Sequence, residues 1–163
     1  MDTVRDVESL GGCSIPIEVD LRCGDEVVAC AETAIHAMGG LDVLVNNASV
    51  LDLKRDLSPK RMDLVHAVNA RATLLMNQTC RDALDKAEGS IVTMSPSVRL
   101  ATLQWIADHP SYTISKYSMT MSTLAFASSR VRANCLWPRY TVATSATRRI
   151  EEFMGIHLSL IHI

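Results

Sequence analysis

The sequence predicts an α/β fold built on a parallel sheet, and three observations carry that prediction. Short β-rich runs alternate with longer helical segments along the 163 residues, which is the order of βαβ units. Two of the short runs, LDVLVNNAS and GSIVTMS, carry uninterrupted apolar stretches, as strands buried on both faces do. Every candidate strand also ends in polar residues. In open parallel sheets that carboxyl edge is where ligands bind.

Taken in order, VRDVESL reads as the end of a helix stopped by Gly11 and Gly12. SIPIEVD reads as a short strand over 14–18. DEVVACAETAIHAM has apolar residues at helical spacing, predicting a helix over 25–38 that ends at Gly39-Gly40. A strand follows over 42–46. Ser58 as N-cap and Pro59 in the first turn open a long helix over 58–86. GSIVTMS gives a strand over 90–95. Residues 112–129 are helical by spacing, and VRANCLW gives a last strand over 131–136, ended by Pro138.

Composition narrows the function classes. Apolar residues make up 48% of the chain, enough for one domain with a sizeable core, and the formal charge is −2. No run of Lys or Arg marks a nucleic-acid or acidic-membrane partner. No apolar stretch approaches the ~20 residues of a membrane span. MDTVRDVESL lacks the pattern of a signal peptide. Five cysteines, at 13, 23, 30, 80 and 135, form no CxxC pair. They exclude a zinc centre or a disulfide framework and fit a reduced, intracellular chain, cytoplasmic by default.

The polar strand ends are Asp20, Asn46-Asn47, Ser95 and the run Pro138-Arg139-Tyr140-Thr141. Asn and Ser end strands routinely, but here all four ends are polar, and YTISK follows the third. Tyr112 and Lys116, four apart, share one helix face. A Tyr ring packed on a Lys stem is the structural alternative to a proton-transfer pair.

Together these segments resemble the short-chain dehydrogenase/reductase family over residues 5 to 150. LDVLVNNAS is similar to its NNAG segment, with Ser49 in place of the glycine. YTISK is similar to its Tyr-x-x-x-Lys pair, and KRMDLVHAVNARAT to the helix that carries its catalytic asparagine, here Asn69. MSPS, SYTISKYSM and LWPR resemble the hydroxysteroid dehydrogenase-like branch, which includes citronellol-type enzymes. The resemblance implies NAD or NADP as cofactor and a hydrophobic alcohol or carbonyl compound as substrate. It implies Tyr112 as general acid/base and Lys116 as the cation that favours the phenolate and bonds the nicotinamide ribose. A free phenol titrates near ~10 and needs that help at neutral pH. Asn69 would hold a relay water. Asp20 would contact the adenine, Asn46, Asn47 and Ala48 would line the cleft, Pro138 and Arg139 would meet the carboxamide, and Thr144 the pyrophosphate. A compartment such as the mitochondrion or peroxisome is also compatible with the resemblance.

The chain departs from that pattern in three places. No T-G-x-x-x-G-x-G turn can be drawn through glycines 11, 12, 24, 39, 40, 89 and 155. By the resemblance Met1 falls inside the second helix, and the first two strands are missing. The expected fold is therefore an incomplete Rossmann-like, doubly wound parallel sheet that also lacks its last strand. The family's order 3-2-1-4-5-6-7 would leave a gap beside SIPIEVD, so impaired folding or a rearranged sheet is expected. The catalytic serine position aligns with Pro96. Ser95 is the candidate, since the related branch carries Ser-Pro there, and Ser97 is next. The turn before VRANCLW is about four residues short against that branch. After Arg149 the resemblance stops, so residues 1–150 read as a partial dehydrogenase domain and 151–163 as a non-homologous tail.

Other features have simpler readings. Met119 and Met121 in SMTMSTLAF read as core or helix–helix packing. By the resemblance, the helices over 58–86 and 112–129 would form a homo-oligomer interface. Trp105 is expected in the loop before Tyr112, as a substrate wall or a loop anchor. His109-Pro110 reads as the stop before the helix, and His157 and His162 as incidental. Two functions follow: an NAD(P)-dependent oxidoreductase, or a non-enzymatic homologue acting at most by pairing with a full-length partner. The missing glycine turn leads to the expectation that this chain alone binds the dinucleotide weakly and turns over slowly or not at all.

Overall fold

A computed structural model describes residues 3–96, 103–138, 141–142 and 160–161. The elements are α1 (Thr3–Ser9), α2 (Gly24–Met38), β1 (Val43–Asn46), α3 (Pro59–His66), a π turn (Ala67–Arg71), α4 (Ala72–Ala87), β2 (Ser90–Met94), α5 (Leu103–Asp108), α6 (Pro110–Ala125), β3 (Arg132–Leu136), β4 (Thr141–Val142) and β5 (Leu160–Ile161). The sheet is β1-β2-β3, parallel throughout, with Leu44 opposite Ile91 and Val92 opposite Asn134. Helices make both crossovers, because parallel neighbours need a long connection. A second, two-stranded parallel pair joins β4 to β5.

The core lies where α2, α4 and α6 cover one face of this sheet. Ala31, Cys80, Leu84, Ile91 and Val131 are buried there, with Ile35, Leu44, Met76, Phe126 and Ala133 packed around them. Gly39 ends α2 at φ +75°, a left-handed conformation that glycine adopts without a Cβ clash. Gly89 lets the chain enter β2 against its neighbour: a Cβ there would stand 2.5 Å from the Asp42 carbonyl oxygen.

Three expectations are corrected. SIPIEVD forms no strand, since a strand exists by pairing and no described segment lies beside it. The first apolar run is not buried on both faces, since Val43 and Val45 are 52% and 57% exposed, whereas β2 alternates buried and half-buried residues. The layer is covered on one side only, so among the described residues it is a three-stranded part of a doubly wound fold. Residues 103–108, read as loop, form α5 and carry Trp105. The boundaries of the remaining strands and of α2 fall within two residues of expectation. The long helix is interrupted by the π turn at 67–71, which apolar spacing cannot reveal. The last helix starts at Pro110 and ends at Ala125, four residues early.

Candidate active site

The site begins with α6, whose sheet-facing side is almost entirely polar. Thr113, Lys116, Thr120 and Thr123 recur at helical spacing and all are buried. A buried polar group left unbonded costs ~1–3 kcal/mol. β2 and the residues just after it partner Lys116, Thr120 and Thr123, whereas the Thr113 hydroxyl is buried without a hydrogen-bond partner among the described residues. The Thr123 hydroxyl donates to Thr93 Oγ1 at 2.6 Å. Thr120 donates to the Pro96 carbonyl at 2.8 Å, and its oxygen lies 3.1 Å from Ser95 Oγ, whose hydroxyl can donate to it. These bonds seat α6 across the carboxyl end of β2.

That seating brings Tyr112 and Lys116 to the sheet edge. The Lys116 ammonium donates to the Met94 carbonyl, the last residue of β2. Lys116 is 4% exposed, and burial lowers its pKa to about 8. Burial raises the Tyr112 phenol above its ordinary value. Both residues line one cavity of about 180 Å³, with Pro96, Trp105, Thr113, Tyr117 and Trp137. The alternative of an exposed Lys stem under a Tyr ring does not describe this lysine, whose ammonium is itself buried and bonded.

Asn69 sits in the π turn, fully buried. Its Oδ1 accepts from the Val50 amide at 2.7 Å, and its Nδ2 donates to the Val50 carbonyl at 3.0 Å and to Ser115 Oγ at 2.9 Å. Ser115 in turn donates to the Tyr112 carbonyl at 2.7 Å. The amide thus clamps the loop after β1 to the helix turn carrying Tyr112. Both Nδ2 hydrogens are committed, which leaves the second lone pair of Oδ1 as the side chain's remaining acceptor. π turns of this kind recur at functional sites.

The other predicted residues fall in different places. The Asn46 amide donates to Asn77 Oδ1 at 2.8 Å and to Thr93 Oγ1 at 3.2 Å, and Asn77 donates to Ser122 Oγ at 3.0 Å. The Asn46 side chain therefore braces the core under the sheet edge, while Asn47 and Ala48 are exposed above it. Ser95 is fully buried with its hydroxyl on Thr120, and it does not line the Tyr112 cavity. Asp20 is bound by Arg22 Nε at 2.8 and 2.9 Å, which holds its carboxyl at about 2. Pro138 follows β3 at the same edge. Ser97, Arg139 and Thr144 lie outside the described residues. Asn77, Thr93, Ser115, Thr120, Ser122 and Thr123 were not singled out from sequence. The signal was there, as hydroxyl and amide residues at helical spacing where a core stripe should be apolar.

A dinucleotide fits one half of this arrangement. A buried ammonium and a phenol face one cavity at the sheet edge, as the ribose and nicotinamide end requires. No described strand runs through a glycine-rich turn into a helix, so the pyrophosphate end has no backbone cradle among these residues. The described residues also include no cluster of His, Cys, Asp or Glu able to hold a metal.

The described elements form part of a Rossmann-like fold, and comparison with known proteins agrees with that fold. The chain belongs to the short-chain dehydrogenase/reductase family: the family profile described as Enoyl-(Acyl carrier protein) reductase matches residues 1–160. It is similar to hydroxysteroid dehydrogenase-like protein 2 of Mus musculus, 38% identical over 148 residues, covering 87% of this chain and 30% of that protein. The Homo sapiens protein of the same name is 37% identical, with 87% of this chain and 35% of that protein covered. This chain thus spans about a third of the length of these curated relatives. Among solved structures, a short-chain dehydrogenase of Mycobacterium thermoresistibile superposes with a TM-score of 0.80 at 33% identity, over 93% of this chain and 55% of that one. One from Burkholderia cenocepacia J2315, in complex with NADP, gives 0.75 at 27% identity, over 87% of this chain and 59% of that one.

Proposed function

We propose that this chain carries the catalytic half of an NAD(P)-dependent oxidoreductase acting on a hydrophobic alcohol or carbonyl compound. The observation that carries this reading is the convergence of Tyr112 and buried Lys116 on one cavity at the carboxyl edge of the sheet. NAD(P), when bound, supplies the hydride acceptor or donor, taking the carbinol C–H with its electron pair as the C=O forms. Tyr112 takes the hydroxyl proton in that direction and returns it in reduction. Lys116, held by the Met94 carbonyl, places a positive charge one helical turn from the phenol and favours its ionised form. Asn69 fixes the turn that presents Tyr112. Ser95 stays the proposed catalytic serine, with Ser97 next, and the Ser95 hydroxyl would have to leave Thr120 to reach a substrate.

NADP-bound structural relatives support the cofactor class, and the choice between NAD and NADP is left to experiment. Asp20, the backbone of Asn46, Asn47 and Ala48, and Pro138, Arg139 and Thr144 stay proposed cofactor contacts. Isolated, the chain is expected to bind the dinucleotide weakly, since charge-assisted bonds of the pyrophosphate kind contribute ~1.5–3 kcal/mol each. Calorimetric titration with NADH and NADPH, alongside a dehydrogenase assay of the chain and of Tyr112→Phe, tests the reading. Weak binding with turnover that Tyr112→Phe abolishes supports it. Turnover indifferent to Tyr112 refutes it.

The second reading, a chain working by pairing, is favoured by the bare β1 edge with its exposed Val43 and Val45. A homo-oligomer through α3–α4 and α6 is supported by a separate groove of about 1450 Å³ between them, floored by Leu64, Ala67, Leu74, Ile114 and Met121.

A further inference from the structure

The chain is poor in aromatic residues, with two Trp, three Tyr and two Phe in all. Both tryptophans and two of the tyrosines line the single cavity that holds Lys116. α5 brings Trp105 there, the residue after β3 brings Trp137, and α6 brings Tyr112 and Tyr117. Three separate elements have thus delivered four of the seven aromatic rings to one place. Packing does not explain it, because Trp105 and Trp137 remain 42% and 41% exposed, and the buried core is assembled from Leu84, Ile91, Met119 and the valines. Aromatic walls beside a proton-transfer group are suited to a flat, apolar ligand, which gains from ring–ring contact in offset or edge-on geometry.

Size sets the second limit. The walled part of the cavity is about 180 Å³, below the ~300–1,000 Å³ of sites for drug-sized ligands, and it opens to solvent on one side. A single ring is held largely within these walls, whereas a fused four-ring skeleton or a long alkyl chain would leave most of its surface outside them. No carboxylate lines it, and the buried ammonium of Lys116 disfavours a cationic ligand. We infer that the Tyr112 cavity takes a single-ring aryl alcohol or aryl carbonyl compound, with Trp105 and Trp137 as the residues that set this preference. This inference rests on the oxidoreductase reading for the reacting group, but not for binding.

The two tryptophans make the test direct, since all tryptophan emission of this chain arises at the cavity wall. The full chain, excited at the red edge of tryptophan absorption, is titrated with 1-phenylethanol, with 1-decanol and with a four-ring sterol alcohol. The expected result is a saturable emission change with 1-phenylethanol and none with the sterol at its solubility limit. Trp105→Leu and Trp137→Leu each leave one reporter and are expected to weaken 1-phenylethanol binding by about 2- to 10-fold. The Phe versions are expected to restore it, which separates ring contact from a fold defect read by circular dichroism. Tighter binding of the sterol or of 1-decanol, or unchanged affinity in both Leu variants, overturns the inference. Saturable 1-phenylethanol binding without Tyr112-dependent turnover sinks the redox reading and leaves this one standing. Tyr112-dependent turnover that prefers decanol or sterol does the reverse.

Discussion

Lys116 is the residue at which burial and chemistry meet. A cation that is 4% exposed and held by a backbone carbonyl is desolvated, so its pKa falls to about 8 from 10.5. The sign follows from proton counting. Between pH 8 and 10.5 the unfolded chain holds more protons at this site than the folded one, so stability rises with pH across that window. The gain is complete above 10.5 and is lost as pH falls through 8. For a shift of this size it amounts to about 3 kcal/mol. Urea unfolding of the wild type and of Lys116→Met should therefore diverge with pH, the wild type gaining on the variant from pH 8 to 10.5. Because Lys116 is proposed to act on the Tyr112 phenol, the same comparison in a Tyr112→Phe background removes the phenol's titration from the difference. A constant difference across the window would show that the ammonium is better solvated than its geometry implies.

At the scale of elements, the joint between α4 and β2 carries a specific steric demand. Glu88 caps α4 in the left-handed region at φ 50°, and Gly89 then passes against β1's approach. Gly89 donates to the Leu84 carbonyl at 2.8 Å while Ser90 donates to Asp42 at 2.8 Å. Gly89→Ala would press a methyl group into the Asp42 carbonyl at 2.5 Å and the Leu84 side chain at 3.0 Å. Because backbone cannot yield as a side chain can, the expected cost is about 1–3 kcal/mol. It is read as a lower urea midpoint with unchanged slope. A neutral result would mean that the β1–β2 register can slide. The α6 seat is a different kind of joint: hydroxyls at 120 and 123 dock on β2 by hydrogen bonds and leave little apolar burial there. A helix placed this way gains position more than stability, as a site that must hold a phenol at a fixed point requires.

At the scale of the molecule, Leu74, Ile114 and Met121 are all exposed on the groove between α4 and α6. Exposed apolar patches of this kind mark interaction surfaces. If two copies meet there, Ile114→Glu with Met121→Glu should convert a dimer to a monomer in sedimentation, with the far-ultraviolet dichroism unchanged. A wild type already monomeric at high micromolar concentration would remove this face from the proposal. Val43 and Val45 lie on a different surface, the open sheet face and edge, so association through β1 would survive the double substitution.

Much was legible in the sequence because it is local. Strand and helix order, the Gly39 stop, Pro59 at a helix start and the Tyr112–Lys116 spacing are set by backbone sterics and helical period. The family motifs pointed to Tyr112 and Lys116 for the same reason, since four residues on a helix place two side chains on one face whatever surrounds them. Tertiary structure decided the rest. SIPIEVD has strand composition, but a strand needs an edge to pair with, and composition cannot report whether that edge is present. Asn46 and Ser95 look free in sequence. Only packing turned them inward onto Asn77, Thr93 and Thr120, because a polar side chain at a sheet edge takes whichever partner the neighbouring helix presents. The gathering of Trp105 and Trp137 around Tyr112, from positions 32 residues apart by their numbering, likewise exists only once both crossovers are folded.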